Sequence, residues 1–328
     1  MVTVHRPRVP LPRRFGPVTV RQGGLDDDLD AINRGNPMWW GKDFVAERIA
    51  TSPPEDPWYI VVAEVDHAPL GGAFLLAKGV TAGGRAAADV YVLPEARRRG
   101  VGRALFETLV DETRAHGLPG VKAEMPDDDQ ASLATALSWE CSQVGHHRES
   151  VLDLASVDDA LVTSLRTRSV SAGITLEPLP DDADDATWRE IYDMQRPIWA
   201  DAPDADGARD QMPYPVWRGF FPDPSYVLVA RRDGTPVAAN MLMDRPKDDA
   251  LNILFIAVTR EARGLGLSAA LMARHAQLMR DAGQHHRLYT QNMDQNVRIL
   301  RSNDRVGFRV ESGYLDVAYD LAANRPTR

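Results

Sequence analysis

The sequence predicts a mixed α/β protein in which one domain-sized unit is built twice. Three observations carry that expectation: a segment that recurs 166 residues later, β-branched runs of strand length broken by Asp, Gly and Pro, and a glycine cluster opening a helix in each copy. Val92–Leu105 lies over Val258–Leu271, with Glu95, Ala96, Arg97, Gly100 and Leu105 recurring as Glu261, Ala262, Arg263, Gly266 and Leu271. The same offset carries Arg114 to Arg280 and Gly117 to Gly283, so the segment after the glycines has one length in both copies.

Taken in order, the leader 1–16 carries Arg6, Arg8, Arg13 and Arg14 and reads as a flexible, solvated basic tail. Val18–Val20 opens the first domain, expected over 17–155, and is followed by an acidic loop and a helix-like stretch. Tyr59–Ala63, then Asp66 and Pro69, reads as strand, turn and strand; it returns as Tyr226–Ala230, Asp233 and Pro236. Ala88–Val92 and Ile253–Val258 are apolar strands running into the glycine clusters. Val101, Leu105 and Leu109 then stack at helical spacing before Gly117, as Leu267, Leu271 and Leu278 do before Gly283. A strand, a helix and a closing strand complete each copy. The segment 156–172 has little pattern and is the expected linker; Ile174–Leu176 opens the second domain, 173–328.

The chain's 328 residues suffice for two domains of roughly 150 residues each. A composition of 44% hydrophobic and 26% charged residues is that of a soluble globular protein. With 47 acidic against 38 basic side chains, net −9, a broad grip on nucleic acid or an anionic membrane is disfavoured. Cys141 is the single cysteine, which excludes an intramolecular disulfide and any thiolate metal cluster. The eight histidines form no metal-binding motif, so no metal is expected. No apolar run approaches the roughly 20 residues that span a bilayer, and the leader lacks a secretory apolar stretch. A cytoplasmic monomer or homodimer is expected.

A strand that ends in an Arg-Gly-rich turn and enters a helix presents unpartnered backbone N–H groups at the positive end of the helix dipole. Gly100, Gly102, Gly264 and Gly266 lack a Cβ, so a phosphate can approach the main chain, and Arg97 and Arg263 add charge. No Lys-Ser/Thr follows the glycines, as a nucleotide-hydrolysing loop requires. No Gly-x-Gly-x-x-Gly stands in a first strand–helix turn, as a dinucleotide fold requires. The expected ligand carries a diphosphate.

Arg97-Arg98-Arg99-Gly100-Val101-Gly102 resembles the acetyl-coenzyme A signature of the GCN5-related N-acetyltransferase (GNAT) superfamily, Arg/Gln-x-x-Gly-x-Gly/Ala. Arg263-Gly264-Leu265-Gly266-Leu267-Ser268 resembles it with Ser268 at the last place. Thr290, Asn292, Asn296, Ile299, Asn303 and Val306-Gly307-Phe308 look like the last strand and helix of actinobacterial tandem acetyltransferases, the group that includes mycothiol synthase. The resemblance covers about Val18–Tyr319. It implies two tandem GNAT domains, each a mixed, mostly antiparallel sheet with a splayed central parallel strand pair flanked by helices. It also implies acetyl-CoA as donor, held by Val92, Leu93, Arg97–Arg103 (Arg97, Arg98, Arg99, Gly100, Val101, Gly102, Arg103) in the first copy. In the second copy the holders would be Ala257, Val258, Arg263, Gly264, Leu265, Gly266, Leu267, Ser268, Asn292 and Asn296.

The reaction implied is direct attack of an amine on the thioester, which needs orientation, proton removal and stabilisation of the developing oxyanion. The place of the thiolate-protonating Tyr, four residues before Gly-Phe, falls on Asn303 and, in the first copy, on Cys141. The place of the base falls on Asn252 and Ala86. Asn303, Asn252 and Tyr289 are the candidate catalytic residues of the second copy, with Tyr314 as a further substitute acid. Asp89 and Glu124 are carboxylates on predicted inner strands of the first, able to relay a proton if they face the cleft and otherwise solvated or paired. The Asn-rich terminal helix favours the second copy for turnover. Trp39, Trp40, Trp199, Asp201 and Asp204 stand in segments that roof the acceptor site in this family and suit an amine on an apolar or sugar body; the alternative is packing of the rings between domains. The expected partner is a small-molecule amine. A protein N-acetyltransferase and a non-catalytic acyl-CoA-binding protein are the competing readings.

Overall fold

The structure, a computed structural model, describes residues 4–36, 41–51, 57–199, 201, 213–245 and 249–323. In chain order its elements begin β1 (Arg13–Phe15), β2 (Val18–Gln22), α1 (Leu29–Ile32), α2 (Lys42–Thr51), β3 (Trp58–Val65), β4 (Ala68–Thr81), β5 (Arg85–Val92), α3 (Val101–Ala115), β6 (Gly120–Pro126), α4 (Gln130–Ser138) and β7 (Ser142–Asp153). There follow α5 (Asp159–Ser171), β8 (Ile174–Pro178), α6 (Asp185–Trp199), α7 (Tyr214–Gly219), β9 (Val227–Arg232), β10 (Thr235–Arg245), β11 (Ala250–Val258), α8 (Leu267–Ala282), β12 (Arg287–Met293), α9 (Val297–Val306) and β13 (Arg309–Asp320).

Two compact units emerge: Met1–Gly145 with Leu315–Arg328, and His146–Tyr314. They are not the two halves of the sequence. The chain leaves the first unit partway along β7 and returns to it partway along β13.

In the first unit the strands run β1-β2-β3-β4-β5-β6, antiparallel except for β5 and β6. The end of β13 lies beside β6. Lys122 and Asp316 form a buried ion pair at 2.9 Å, Arg85 binds Asp320 at 2.7 Å, and the Leu321 amide donates to the Pro119 carbonyl at 2.8 Å. The second unit runs β8-β9-β10-β11-β12-β7, antiparallel except for β11 and β12.

Each parallel pair is joined only at its start. β5 and β6 pair at Ala86 with Val121 and Ala87 with Lys122; β11 and β12 pair from Leu251–Leu288 to Ile253–Thr290. Beyond these the strands continue unpaired with each other, so each unit has the expected splay at the end where its glycine loop lies.

The long helix after each loop covers one face of its sheet. Val101, Leu105 and Leu109 of α3 pack on Val61, Ala73 and Leu75. Leu267 and Leu271 of α8 pack on Leu228 and Ala230. On the opposite faces, Leu29 of α1 and Ile49 of α2 meet Ile60 and Phe74, while Trp188, Trp217 and Phe221 bury against Val227 and Met241. Burial of each such large side chain is worth about 1.5–3 kcal/mol.

Two segments differ from expectation. The leader is folded back: β1 pairs with β2, and the amides of Arg8 and Val9 both donate to the Glu112 carboxylate at 2.8 Å. Glu112 is buried and requires such donors. The segment expected as a linker is the helix α5, capped by Asp158 and burying Val162 and Leu165 against Ala273 and Ala276 of α8. Among the described residues no helix is long and apolar enough to cross a membrane.

Candidate functional site

The two glycine loops share one backbone. A single 3₁₀ turn, Pro94–Ala96 or Arg260–Ala262, precedes an extended Arg97 or Arg263, then a left-handed residue, Arg98 at φ 62° or Gly264 at φ 83°. Gly100 and Gly266 follow at φ 82° and 80° as N-caps of α3 and α8, with no side chain capping either helix. The first intrahelical bonds run from Ala104 to Gly100 and from Ala270 to Gly266. The amides of Val101, Gly102 and Arg103, and of Leu267, Ser268 and Ala269, are therefore left without helical acceptors. A Cβ added at Gly100 or Gly264 would meet nothing within 4 Å, so both loops are open above the main chain. Each is an anion nest with the helix dipole behind it.

Arg97 and Arg263 brace these turns, donating through Nε to the Val92 and Val258 carbonyls at 3.2 and 3.3 Å. Leu93 and Ala257 are buried beneath. Arg103 pairs with Glu107, and Arg99 and Leu265 lie on the loops' outer turns. Gly102 answers to packing: a Cβ there would stand 3.1 Å from the Trp139 ring, which stacks on Phe106 with centroids 4.9 Å apart.

In the first unit a cleft of about 780 Å³ runs from Arg97, Arg98, Gly100 and Arg103 through the β5/β6 splay to Asn36. Its walls include Asp89, Glu124, Trp139 and Cys141, and from the returning strand Val317 and Tyr319. Ala88, Val90 and Val92 of β5 face the α3 core, so Asp89 and Tyr91 alternate to the opposite face. There Tyr91 donates to the Arg34 carbonyl at 2.8 Å and Asn36 Nδ2 lies 3.4 Å from Asp89 Oδ2. Burial pushes the Asp89 carboxyl above the usual carboxylate range, against the hydrogen bonds from Asn36 and the Val90 amide.

The second unit gathers the asparagines instead. Asn303 Nδ2 donates to Asn292 Oδ1 at 2.8 Å and Thr290 Oγ1 reaches the same oxygen at 3.3 Å. Asn303 is buried and its Oδ1 has no partner among the described residues, an acceptor suited to an amide N–H of an extended pantetheine arm. Asn296 is the N-cap of α9 but makes no side-chain cap bond. Asn252 pairs along β11/β12 with Tyr289, a buried ring under the Arg245 guanidinium at 4.1 Å whose hydroxyl accepts from Arg287. β11 bulges at Leu254: Met241 pairs with Phe255 and Leu242 with Ile253, leaving Leu254 outside the ladder.

Of the expected acceptor residues, Trp199 is buried within the second unit, 5.7 Å from Tyr192 and 5.8 Å from Phe255 by ring centroids. Asp201 is held by Arg260 and Arg263, which keep its carboxyl well below the usual range. Trp39, Trp40 and Asp204 lie outside the described residues.

The equivalence of the last helices is shifted from the expected one. The Cys141 amide donates to Ala136, and Phe308 to Asn303, both at 3.1 Å, each after a left-handed residue, Glu140 or Gly307. Ala136 is therefore the counterpart of Asn303, Trp139 that of Val306, and Cys141 that of Phe308. Burial pushes the Cys141 thiol up to about 11. Asn36, Trp139 and Tyr319 were missed as cleft residues, and for Tyr319 no local signal exists because its strand returns from the far end of the chain.

The sequence profile of the Acetyltransferase (GNAT) family matches residues 29–137 and 188–308. The mycothiol acetyltransferase of Parafrankia sp. (strain EAN1pec) is 26% identical, over 93% of this chain and 90% of that protein. The mycothiol acetyltransferase of Clavibacter michiganensis subsp. michiganensis (strain NCPPB 382) is 31% identical over 72% of each. Among solved structures, a tandem GNAT protein from the clavulanic acid biosynthesis pathway shares the fold with a TM-score of 0.69 at 18% identity, covering 95% of this chain and 100% of that one. The chain belongs to the acetyltransferase (GNAT) family, carries its fold twice, and is an N-acetyltransferase.

Proposed function

We propose that the protein moves an acetyl group from acetyl-CoA to the primary amine of a small molecule by direct attack of the nitrogen on the thioester. The observation that carries this is the duplicated nest, Arg97–Arg103 and Arg263–Ala269, at the mouth of a splayed strand pair. The nest amides suit the diphosphate. The unpaired inner edges of β5/β6 and β11/β12 suit the amides of the pantetheine arm, as an added strand would. Acetyl-CoA supplies the activated acyl carbon; the chain's own residues bind, orient and manage protons. The mycothiol acetyltransferases it resembles are named for a small molecule, which supports a small acceptor over a protein one.

In the second unit, the free Oδ1 of Asn303 and the bulge at Leu254 support the expectation that a donor is held for transfer there. The bulge leaves a strand amide available to a developing oxyanion. Asn252 and Asn303 can orient groups but neither take nor release a proton at working pH, and Tyr289 is buried under Arg245.

Calorimetry with acetyl-CoA tests the reading. Two equivalents are expected for the wild type. Gly100→Glu and Gly266→Glu should each remove one, by placing a carboxylate over a nest; melting curves report the strain of a side chain at positive φ, about 1 kcal/mol. Undiminished stoichiometry in both variants would contradict it. Thiol release with an amine panel and with a basic peptide then separates small-molecule from protein acceptors.

A further inference from the structure

The two units differ where an acceptor would stand. In the first, Asp89 reaches the cleft from the face of β5 opposite α3, with Glu124 in the wall across the splay. Among the described residues no lysine or arginine pairs with Asp89; the Asn36 amide and the Val90 backbone N–H meet it instead. A half-buried carboxylate that no described cation meets is an incomplete ion pair, and a cleft that leads to it admits the missing charge. In the second unit the corresponding position of β11 is Phe255, stacked on Trp199 at 5.8 Å and tilted at 60° against Phe221 at 6.0 Å. That face is lined by rings, and among the described residues no carboxylate pairs with Phe255's neighbours Trp199 and Phe221 to offer an ammonium a counter-charge.

Resting on the acetyl-transfer reading above, we propose that the first unit's cleft is a transfer site in its own right, in which Asp89 holds the acceptor amine as its ammonium and takes its proton. The preferred acceptors are then cationic primary amines small enough for a cleft of about 780 Å³. In the step, the ammonium gives one proton to the Asp89 carboxylate and the freed lone pair forms the N–C bond to the acyl carbon. The C–S bond breaks with its electron pair going to sulfur. The second proton lost by nitrogen ends on the thiol, leaving an amide and free coenzyme A.

The test uses the full-length protein and the best amine of the panel. Asp89→Asn should lower kcat by about 10²–10⁴-fold, the span of general-base contributions, while acetyl-CoA stoichiometry stays at the wild-type value. Amine affinity, measured calorimetrically with free coenzyme A so that no acetyl group can move, should fall by roughly 10–100-fold. Asp89→Glu should restore part of kcat. Asp89→Asn retaining kcat and amine affinity within twofold overturns the inference and leaves the acetyltransferase reading standing. Should the variant not fold, a bulky maleimide placed on Cys141 in the Gly266→Glu protein fills the same cleft: lost turnover supports the inference, and full turnover at one adduct overturns it. Wild-type protein that binds acetyl-CoA yet releases no thiol with any amine fails the reading itself, and the inference with it.

Discussion

Cys141 is the chain's sole cysteine and lines the first unit's cleft, so a thiol reagent reads that site alone. Because burial holds its thiol near 11, alkylation by iodoacetamide should be slow at neutral pH and accelerate as pH rises toward that value. Acetyl-CoA at ten times its dissociation constant should slow it about tenfold, read as one adduct by mass spectrometry; no protection would place the donor elsewhere. The nests were legible residue by residue, since a left-handed turn that admits a ligand is written in glycine. The register of the last helix was not. Its stop is marked by Gly307 in the second copy, but in the first a glutamate, Glu140, takes the left-handed conformation, and a glutamate there leaves no signal in the sequence. The role suggested for Cys141 followed from that misplaced stop. Asp89 was visible as a carboxylate on an inner strand; which face it occupies depended on the strand's register against α3.

At the scale of elements, the junction of β6 with the end of β13 is the most exacting contact in the first unit. A Cβ at Gly120 would stand 2.0 Å from the Tyr319 carbonyl oxygen. Gly120→Ala should therefore destabilise by about 1–3 kcal/mol, as overpacking does. Lys122→Met, which takes from the buried Asp316 its ammonium partner at 2.9 Å, should cost about 3–5 kcal/mol. Urea denaturation checks both, and a midpoint unchanged in either variant would show that β13 is not held as described. Strands and long helices were readable from alternation and helical spacing. The two misread segments lacked a local signal: α5 buries little beyond Val162 and Leu165, and the leader is fixed by Glu112, about a hundred residues downstream.

For the molecule as a whole, the duplicated fold was legible because an internal repeat compares the sequence with itself. The exchange of strand segments was not, because repeats align by order and the units are assembled out of order. A protein ending at Tyr314 should keep acetyl-CoA binding in the second unit and lose it in the first. Calorimetric stoichiometry should fall from two to one, and alkylation of Cys141 should become fast and insensitive to acetyl-CoA. Two retained equivalents would mean that the returning segment is dispensable.

That return also imposes a schedule on synthesis. The ribosome finishes most of the first unit about 170 residues before it delivers Leu315–Asp320, a delay of roughly ten to thirty seconds at ordinary translation speeds. Throughout it the nascent β6 has an open edge, so the first unit closes only after the second has been made, and a frameshift late in the second unit injures the first.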